Sequence, residues 1–314
     1  MSTTMEEPST NTAASHERLR SRMAAMKLTF HWLGTRKSLS TDQMSRAADA
    51  FDAERKFLSA GKKLFDTSAP AFRQLTSVKS QATSYYKGVS LPFPEPGLRL
   101  IRQDHVETIQ NKMLSLQSEL ADAVVVLDAQ FGELTTEARD RLGDLFDPTD
   151  YPTSLAGAFQ IKWSFPTVEA PEYLRRLNPE LFQQECDRVR GQFEEAARLA
   201  ETAFADELVK LITHLTEKLN GTNDGKVKVF RDTAVTNFNA FFERFQSLNI
   251  GSNAELDELV DHARNIVSGV DPQSLRSESA LRQQISTQLS TVQASLDGLM
   301  VDRPRRNIIR GPQK

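Results

Sequence analysis

Apolar residues recur at every third or fourth position from Asn178 to Asn220, which is the pattern of a helix with one buried face. Asn178 followed by Pro179 is a typical helix start, and Asn220 followed by Gly221 is a typical end. At 1.5 Å per residue this helix would be roughly 60 Å long, so its apolar face needs a long partner. That face comprises Phe182, Cys186, Val189, Phe193, Ala196, Ala200, Phe204, Leu208, Leu211, Leu215 and Leu219.

A second apolar repeat could supply that partner. It consists of Ile109, Met113, Leu116, Leu120, Ala123, Leu127, Phe131 and Leu134. We therefore predict that residues 101–134 and 178–220 pack as a long antiparallel, coiled-coil-like hairpin within an elongated, mainly α-helical bundle. Further helices are predicted at 16–26, 44–65, 71–86, 137–146, 227–248, 254–267 and 274–300.

The helix predicted after residue 40 begins at a capping box, in which Ser40 is followed three positions later by Gln43. Its apolar face would consist of Met44, Ala47, Phe51, Leu58 and Phe65, despite Gly61 inside the pattern. Pro70 is predicted to break this helix.

Two segments alternate apolar and polar residues, which is typical of strands. They are residues 27–33, with Leu28, Phe30 and Trp32, and residues 158–165, with Ile161 and Trp163. We predict that they pair, that residues 88–93 are a candidate third strand, and that both tryptophans share one face. Because a two-stranded ribbon is marginal alone, this sheet should pack on the helices.

The 314 residues are 39% hydrophobic and 26% charged, which is the composition of a globular protein. We predict a disordered tail at 1–16, one helical domain at 17–300 and a flexible basic tail at 301–314. The net charge of −3 gives no overall field that would attract nucleic acid. The chain shows no secretory signal, no apolar run near the roughly 20 residues of a membrane span, and a single cysteine, so we expect a cytoplasmic protein.

Candidate chemistry is sparse. Residues 221–226 resemble a phosphate-binding or calcium loop, but the spacing and the ligand types do not fit either motif. Glu258, Asp261 and His262 lie within one helical turn and could share a metal, although a solvated acidic face explains them more simply. Cys186 lies on the apolar face of its helix, where a buried structural residue is expected. We therefore assign no catalytic residue, cofactor or metal ligand, and predict a protein that is not an enzyme.

The residues that remain as candidates are those that could bind a protein partner. Aromatic side chains of the sheet and nearby loops could form a contact surface, and the basic tail could be a docking peptide or a plain flexible terminus. These candidates are Trp32, Tyr151, Trp163, Phe165, Arg303, Arg305 and Arg306.

Several short motifs occur in a characteristic order along the chain. They are Trp32-Leu-Gly34, the run Pro94-Glu-Pro-Gly97-Leu-Arg99, Leu142-Gly143-Asp-Leu-Phe146, Asp150-Tyr151-Pro152, and Phe230-Arg-Asp with Leu248-Asn249-Ile250. In this order they resemble an uncharacterised bacterial and phage family, domain of unknown function 3150, over about residues 20–270. The chain departs from the family pattern at Phe93, where tryptophan is more usual, and at residues 167–169.

The resemblance implies a partner and no chemistry. Members of that family are often encoded beside a MoxR-type AAA+ ATPase and a protein with a von Willebrand factor A domain, and no catalytic residue is assigned in the family. We therefore expect a non-enzymatic adaptor or partner of such a module. One alternative is a helical pore former that inserts residues 123–127 or 159–165 into a membrane, and another is an enzyme built on Glu258, Asp261 and His262. The oligomeric state stays open.

Overall fold

The structure is a computed structural model that describes residues 17–220, 222–223, 226–227, 233–270 and 272–301. The described residues fall into two compact units. Unit 1 comprises those of Met1–Ala25, Val89–Gln103 and Pro166–Lys314, and unit 2 comprises Met26–Gly88 and Asp104–Phe165. The expected class, mainly helical with a small sheet, is confirmed. The single domain expected at 17–300 stays a prediction.

The elements follow one another as a mixture of long helices and short strands. The strands are β1 (Met23–Trp32), β2 (Arg36–Ser38), β3 (Gly61–Lys63), β4 (Ser90–Pro92), β5 (Leu98–Arg102), β6 (Phe159–Ser164), β7 (Thr222–Asn223) and β8 (Lys226–Val227). The helices are α1 (17–22), α2 (Thr41–Asp49), α3 (Pro70–Gly88), α4 (Val106–Leu142), α5 (Glu172–Leu177), α6 (Pro179–Asn220), α7 (Thr233–Leu248), α8 (Ala254–Val267), α9 (Pro272–Ser277) and α10 (Ser279–Val301). Short 3-10 turns lie at Arg55–Phe57, Gln103–His105, Gly143–Leu145 and Pro148–Asp150.

The main sheet has the strand order β4-β5-β1-β6. In the antiparallel pair β1–β6, Leu28 lies opposite Trp163 and Trp32 lies opposite Phe159. Directly opposite residues of an antiparallel pair point to the same face, so both tryptophans lie on one face of the sheet. The predicted pairing of these two segments is therefore confirmed, and β4 confirms the candidate strand at 88–93.

Unit 2 is built on α3 and α4, which pack along each other, while α4 also packs on β6. All eight apolar residues of the repeat in α4 are buried, as the sequence predicts. The Gln117 side chain donates a hydrogen bond to the Ile161 carbonyl oxygen (3.0 Å), which ties α4 to β6. Phe65 packs edge-on against Phe72 and Phe131, with ring centroids 5.6 and 5.9 Å apart.

Unit 1 is organised around α6, whose most extensive contact is with α10. Asn178 caps the helix, because its Oδ1 accepts a hydrogen bond from the Leu181 amide (3.0 Å). The apolar face is almost continuously buried from Val189 to Leu219, whereas Phe182 and Cys186 are half-buried. Cys186 is therefore less enclosed than the sequence pattern predicts.

The predicted hairpin between residues 101–134 and 178–220 is not confirmed. Its two helices, α4 and α6, belong to different compact units. The apolar face of α4 is occupied by α3 and β6, and that of α6 by α10, α7 and α8. Periodicity shows that a helix has an apolar face, but it does not identify which of several other apolar faces packs against it.

Other helix predictions need correction at their ends. The helix predicted at 44–65 is wrong, because α2 ends at Asp49 and is followed by a turn, in which Asp52 adopts the left-handed conformation (φ 50°), and later by β3. Pro70 does not break a helix but is the first residue of α3, where its missing N–H costs nothing. The helix predicted at 274–300 is two helices, α9 and α10, and α4 extends to Leu142 through much of the separate helix predicted at 137–146.

Candidate interaction surface

Trp32 and Tyr151 are engaged in internal packing. The Trp32 ring lies edge-on against Phe159, with centroids 5.0 Å apart, and the Lys79 ammonium lies 4.4 Å from its centroid. Tyr151 stacks on Phe146 at 5.1 Å, and its hydroxyl donates a hydrogen bond to the Leu64 carbonyl oxygen (2.6 Å). Both residues therefore have a structural role in unit 2.

The other predicted binding residues are less enclosed or lie outside the description. Trp163 is half-buried, and Phe165, just beyond the end of β6, is 40% exposed. Arg303, Arg305 and Arg306 lie outside the described residues. The structure thus brings Trp32 and Trp163 to one face and leaves Tyr151 elsewhere in the unit, at the segment that follows α4.

The most exposed apolar side chains of unit 2 belong to a segment that the sequence pattern assigned to a helix. Residues 36–63, which we name the arm, consist of the antiparallel ribbon β2–β3 and the connection between its strands. In that connection the capping box is formed as predicted: the Ser40 side chain accepts from the Gln43 amide, and the Gln43 side chain accepts from the Ser40 amide. Ala48 is the one buried residue of the connecting segment 39–60.

The tip of the arm carries two largely exposed phenylalanines, and the Lys56 ammonium lies 4.9 Å from the ring centroid of Phe57. Phe51 is 80% exposed and Phe57 is 81% exposed, and all eight residues from 50 to 57 are exposed. Single exposed apolar residues are ordinary, but two large aromatic rings on one short exposed segment are a candidate contact surface. The sequence pattern does not reveal them, because Phe51 fits the helical period and Gly61 is the one signal that the helix does not continue.

The base of the arm is held by a buried ion pair. Asp150, whose side chain is 1% exposed, lies 2.6 Å through Oδ2 from Nζ of Lys62, whose side chain is 4% exposed. The Lys62 ammonium also donates a hydrogen bond to the Leu145 carbonyl oxygen (2.6 Å), and Lys37 donates one to Asp150 Oδ1. Leu64, the residue that follows β3, is buried in the unit. The ribbon is therefore anchored at its root.

The electrostatics of this base follow from its contacts. Burial raises the pKa of Asp150, but the hydrogen bonds and positive charges of Lys37 and Lys62 outweigh burial, so the pKa lies below its usual value. The pKa of Asp147 is also lowered, because it accepts hydrogen bonds from the Thr149 side chain and amide. Burial, with a contribution from the Asp150 charge, raises the pKa of Tyr151. The carboxylates of Asp147 and Asp150 therefore stay ionised near neutral pH, and the ionised Asp150 can pair with the lysines at the base of the arm.

The candidates for metal or small-molecule chemistry are weak. Glu258, Asp261 and His262 are exposed on α8, and Asp261 pairs with Arg264 (3.4 Å). Within the described ranges, no group of three or more histidine, cysteine or acidic side chains is placed to hold a metal ion. A pocket beside Asp257 has a volume of about 10 Å³, which is the room of about one water molecule.

The alternative of a helical pore former makes the length and apolarity of the helices of interest. In the part of the chain that the structure describes, none of them combines the length and the apolarity that crossing a bilayer requires.

Comparison of the chain with protein-family models, with curated proteins and with solved structures finds no match.

Proposed function

We propose that this protein is a non-enzymatic interaction protein that docks on its partner through the tip of the arm. The observation that carries the proposal is the exposure of Phe51 and Phe57 on a segment whose root is anchored by a buried ion pair. An anchored base limits the ordering that the segment must undergo on binding, and unused aromatic rings supply the contact area.

The two rings supply part of the binding energy that a specific contact needs, and polar contacts around them must supply the rest. Burying one phenylalanine contributes about 1.5–3 kcal/mol, so two rings offer about 3–6 kcal/mol before the costs of association are subtracted. Aromatic anchors seated in pockets commonly dominate protein–protein interfaces. The two rings are therefore proposed as the main anchors, with the surrounding polar residues as the rim.

As the partner we propose a MoxR-type AAA+ ATPase or the von Willebrand factor A protein encoded with it, in the cytoplasm. This part rests on the ordered motifs from Trp32 to Leu248 and the family they resemble. An adaptor role is supported by the exposed apolar side chains of the arm, Phe51 and Phe57, which are available to a partner.

The test is co-purification of the tagged protein with the ATPase and with the von Willebrand factor A protein encoded beside it, in the presence of ATP. Phe51→Ser with Phe57→Ser should abolish enrichment and leave the fold intact, because neither ring packs in a core. The matched control is Tyr173→Ser with Leu177→Ser, which removes two comparably exposed apolar side chains of unit 1 (64% and 76%). Equal enrichment of the wild type and a bead control, or wild-type binding by the arm variant, would refute the proposal.

A further inference from the structure

The ribbon of the arm carries one pair of positive charges on each of its two faces. Arg36 lies opposite Lys63, and Lys37 lies opposite Lys62. Successive residues of a strand point to opposite faces, so one face carries the first pair and the other face carries the second. Lysine and arginine directly opposite one another repel, so each pair needs a counter-charge.

Only one of these pairs has a carboxylate partner within the described residues. Asp150 accepts from Lys37 and pairs with Lys62 on the inner face of the ribbon. Arg36 and Lys63 are exposed on the outer face, and no described carboxylate lies within ion-pair distance of either. The outer face therefore holds two adjacent cations whose mutual repulsion a bound anion would relieve.

The wider charge of the arm points the same way. Residues 36–63 contain seven lysines and arginines against four acidic residues, a surplus of three positive charges, whereas the whole chain carries −3. A positive arm on a negatively charged chain favours an acidic partner and steers its approach. It also gives the arm a polar contact at its root, in addition to the apolar one at its tip.

We propose that the outer face of the ribbon is a carboxylate-binding site, and that the partner of the arm is an acidic protein segment. Arg36 and Lys63 bind its glutamate or aspartate side chains, while Phe51 and Phe57 contact its apolar side chains. This inference rests on the proposed function, because it specifies the partner of the same arm. It differs in the residues that carry it, so the two can be tested separately.

The test uses a fluorescein-labelled peptide of glutamate, leucine and serine, the same peptide with glutamine in place of glutamate, and oligo-dT of equal charge. Binding to the full-length protein is followed by fluorescence anisotropy at low and at physiological salt. Arg36→Gln with Lys63→Gln should weaken binding of the glutamate peptide about tenfold at low salt, since two exposed ion pairs are lost. Added salt should reduce this difference.

Two control variants isolate the site. Arg73→Gln with Lys87→Gln removes the same charges from exposed positions on α3 in the same unit, and it should bind like the wild type. Arg36→Lys with Lys63→Arg keeps both charges and should retain binding, even if the ribbon tolerates glutamine poorly.

The outcomes separate this inference from the proposed function. Equal affinity for the glutamate and glutamine peptides, or no binding of the glutamate peptide, overturns the acidic partner but leaves the Phe51 and Phe57 contact to its own test. Oligo-dT that binds as tightly as the glutamate peptide overturns it in favour of nucleic acid. Self-association in sedimentation that depends on Arg36 and Lys63 overturns it in favour of a second copy of the chain.

Discussion

Asp150→Asn tests whether the buried ion pair holds the base of the arm in place. The substitution keeps the shape of the side chain and removes its charge, so the Lys62 ammonium, 4% exposed, is left without its counter-charge. Removing one partner of a buried ion pair typically costs about 3–5 kcal/mol, because the remaining charge stays desolvated. The other cation, Lys37, is 54% exposed, so its own replacement by glutamine should cost less than about 1 kcal/mol.

A double-mutant cycle separates the pair from its two members. Lys62→Met removes the buried cation and keeps most of the apolar stem, so the double variant with Asp150→Asn no longer contains an uncompensated ammonium. We expect the double variant to lose about 2 kcal/mol less than the sum of the single variants.

Urea unfolding followed by tryptophan emission is the appropriate assay. Both tryptophans, Trp32 and Trp163, lie in unit 2, so their emission reports the unit that contains the ion pair. Circular dichroism follows the helices of both units in the same titration. If Asp150→Asn costs less than about 1 kcal/mol, or if the two single effects simply add, the ion pair does not stabilise the unit and our reasoning is wrong.

Three further predictions use the same unfolding assays. The lowered pKa of Asp150 contributes stability that is present above its unfolded-state pKa and is lost as the pH falls through the lower folded-state value, so tryptophan emission should show unit 2 losing stability in acid. Burial raises the pKa of Asp257 and outweighs the hydrogen bond from Asn249, and the charges of Asp261 and Glu201 raise it further, so unit 1 should gain stability as the pH falls through that raised value. Asp257→Asn should remove this gain, which is measured as the difference between the variant and the wild type in circular-dichroism-detected unfolding. Gly143→Ala should lower the free energy of unfolding of unit 2 by about 1–3 kcal/mol in tryptophan-detected unfolding, because Gly143 ends α4 at φ 52°. Gly132→Ala in the same helix should raise that free energy by up to about 1 kcal/mol, because an added Cβ meets open space there. Equal effects of the two variants would contradict this. Phe241→Ala should cost about 3–5 kcal/mol in circular-dichroism-detected unfolding, because its fully buried ring packs among other phenylalanines of unit 1, and unchanged tryptophan emission is the internal control.

Local patterns predicted the long elements well. The helix at Pro179–Asn220 and its Asn178 cap follow from spacing and end signals that act within a few residues. The face shared by Trp32 and Trp163 likewise follows from alternation, once the two strands pair. Such features depend on backbone geometry and on the local hydrogen bonds of helix ends, which the sequence encodes directly.

The arm could not be predicted in this way. Phe51 satisfies the helical period of the preceding residues, yet α2 stops at Asp49 and the chain returns through β3. The chain turns back here because of contacts with residues far along the sequence: Lys62 pairs with Asp150, and Phe65 packs against Phe131. Contacts over such separations outweigh the weak local preference for a longer helix.

What the sequence by itself determined is therefore the set of apolar helix and strand faces and the positions at which most helices begin. What only the tertiary structure decided is which faces cover one another: α4 packs on α3, α6 packs on α10, and the rings of Phe51 and Phe57 remain uncovered. The physical reason is that hydrophobic attraction has no direction, so an apolar stripe specifies the need for a partner without specifying the partner. Shape and chain connectivity make that choice, and they exist only in the folded molecule.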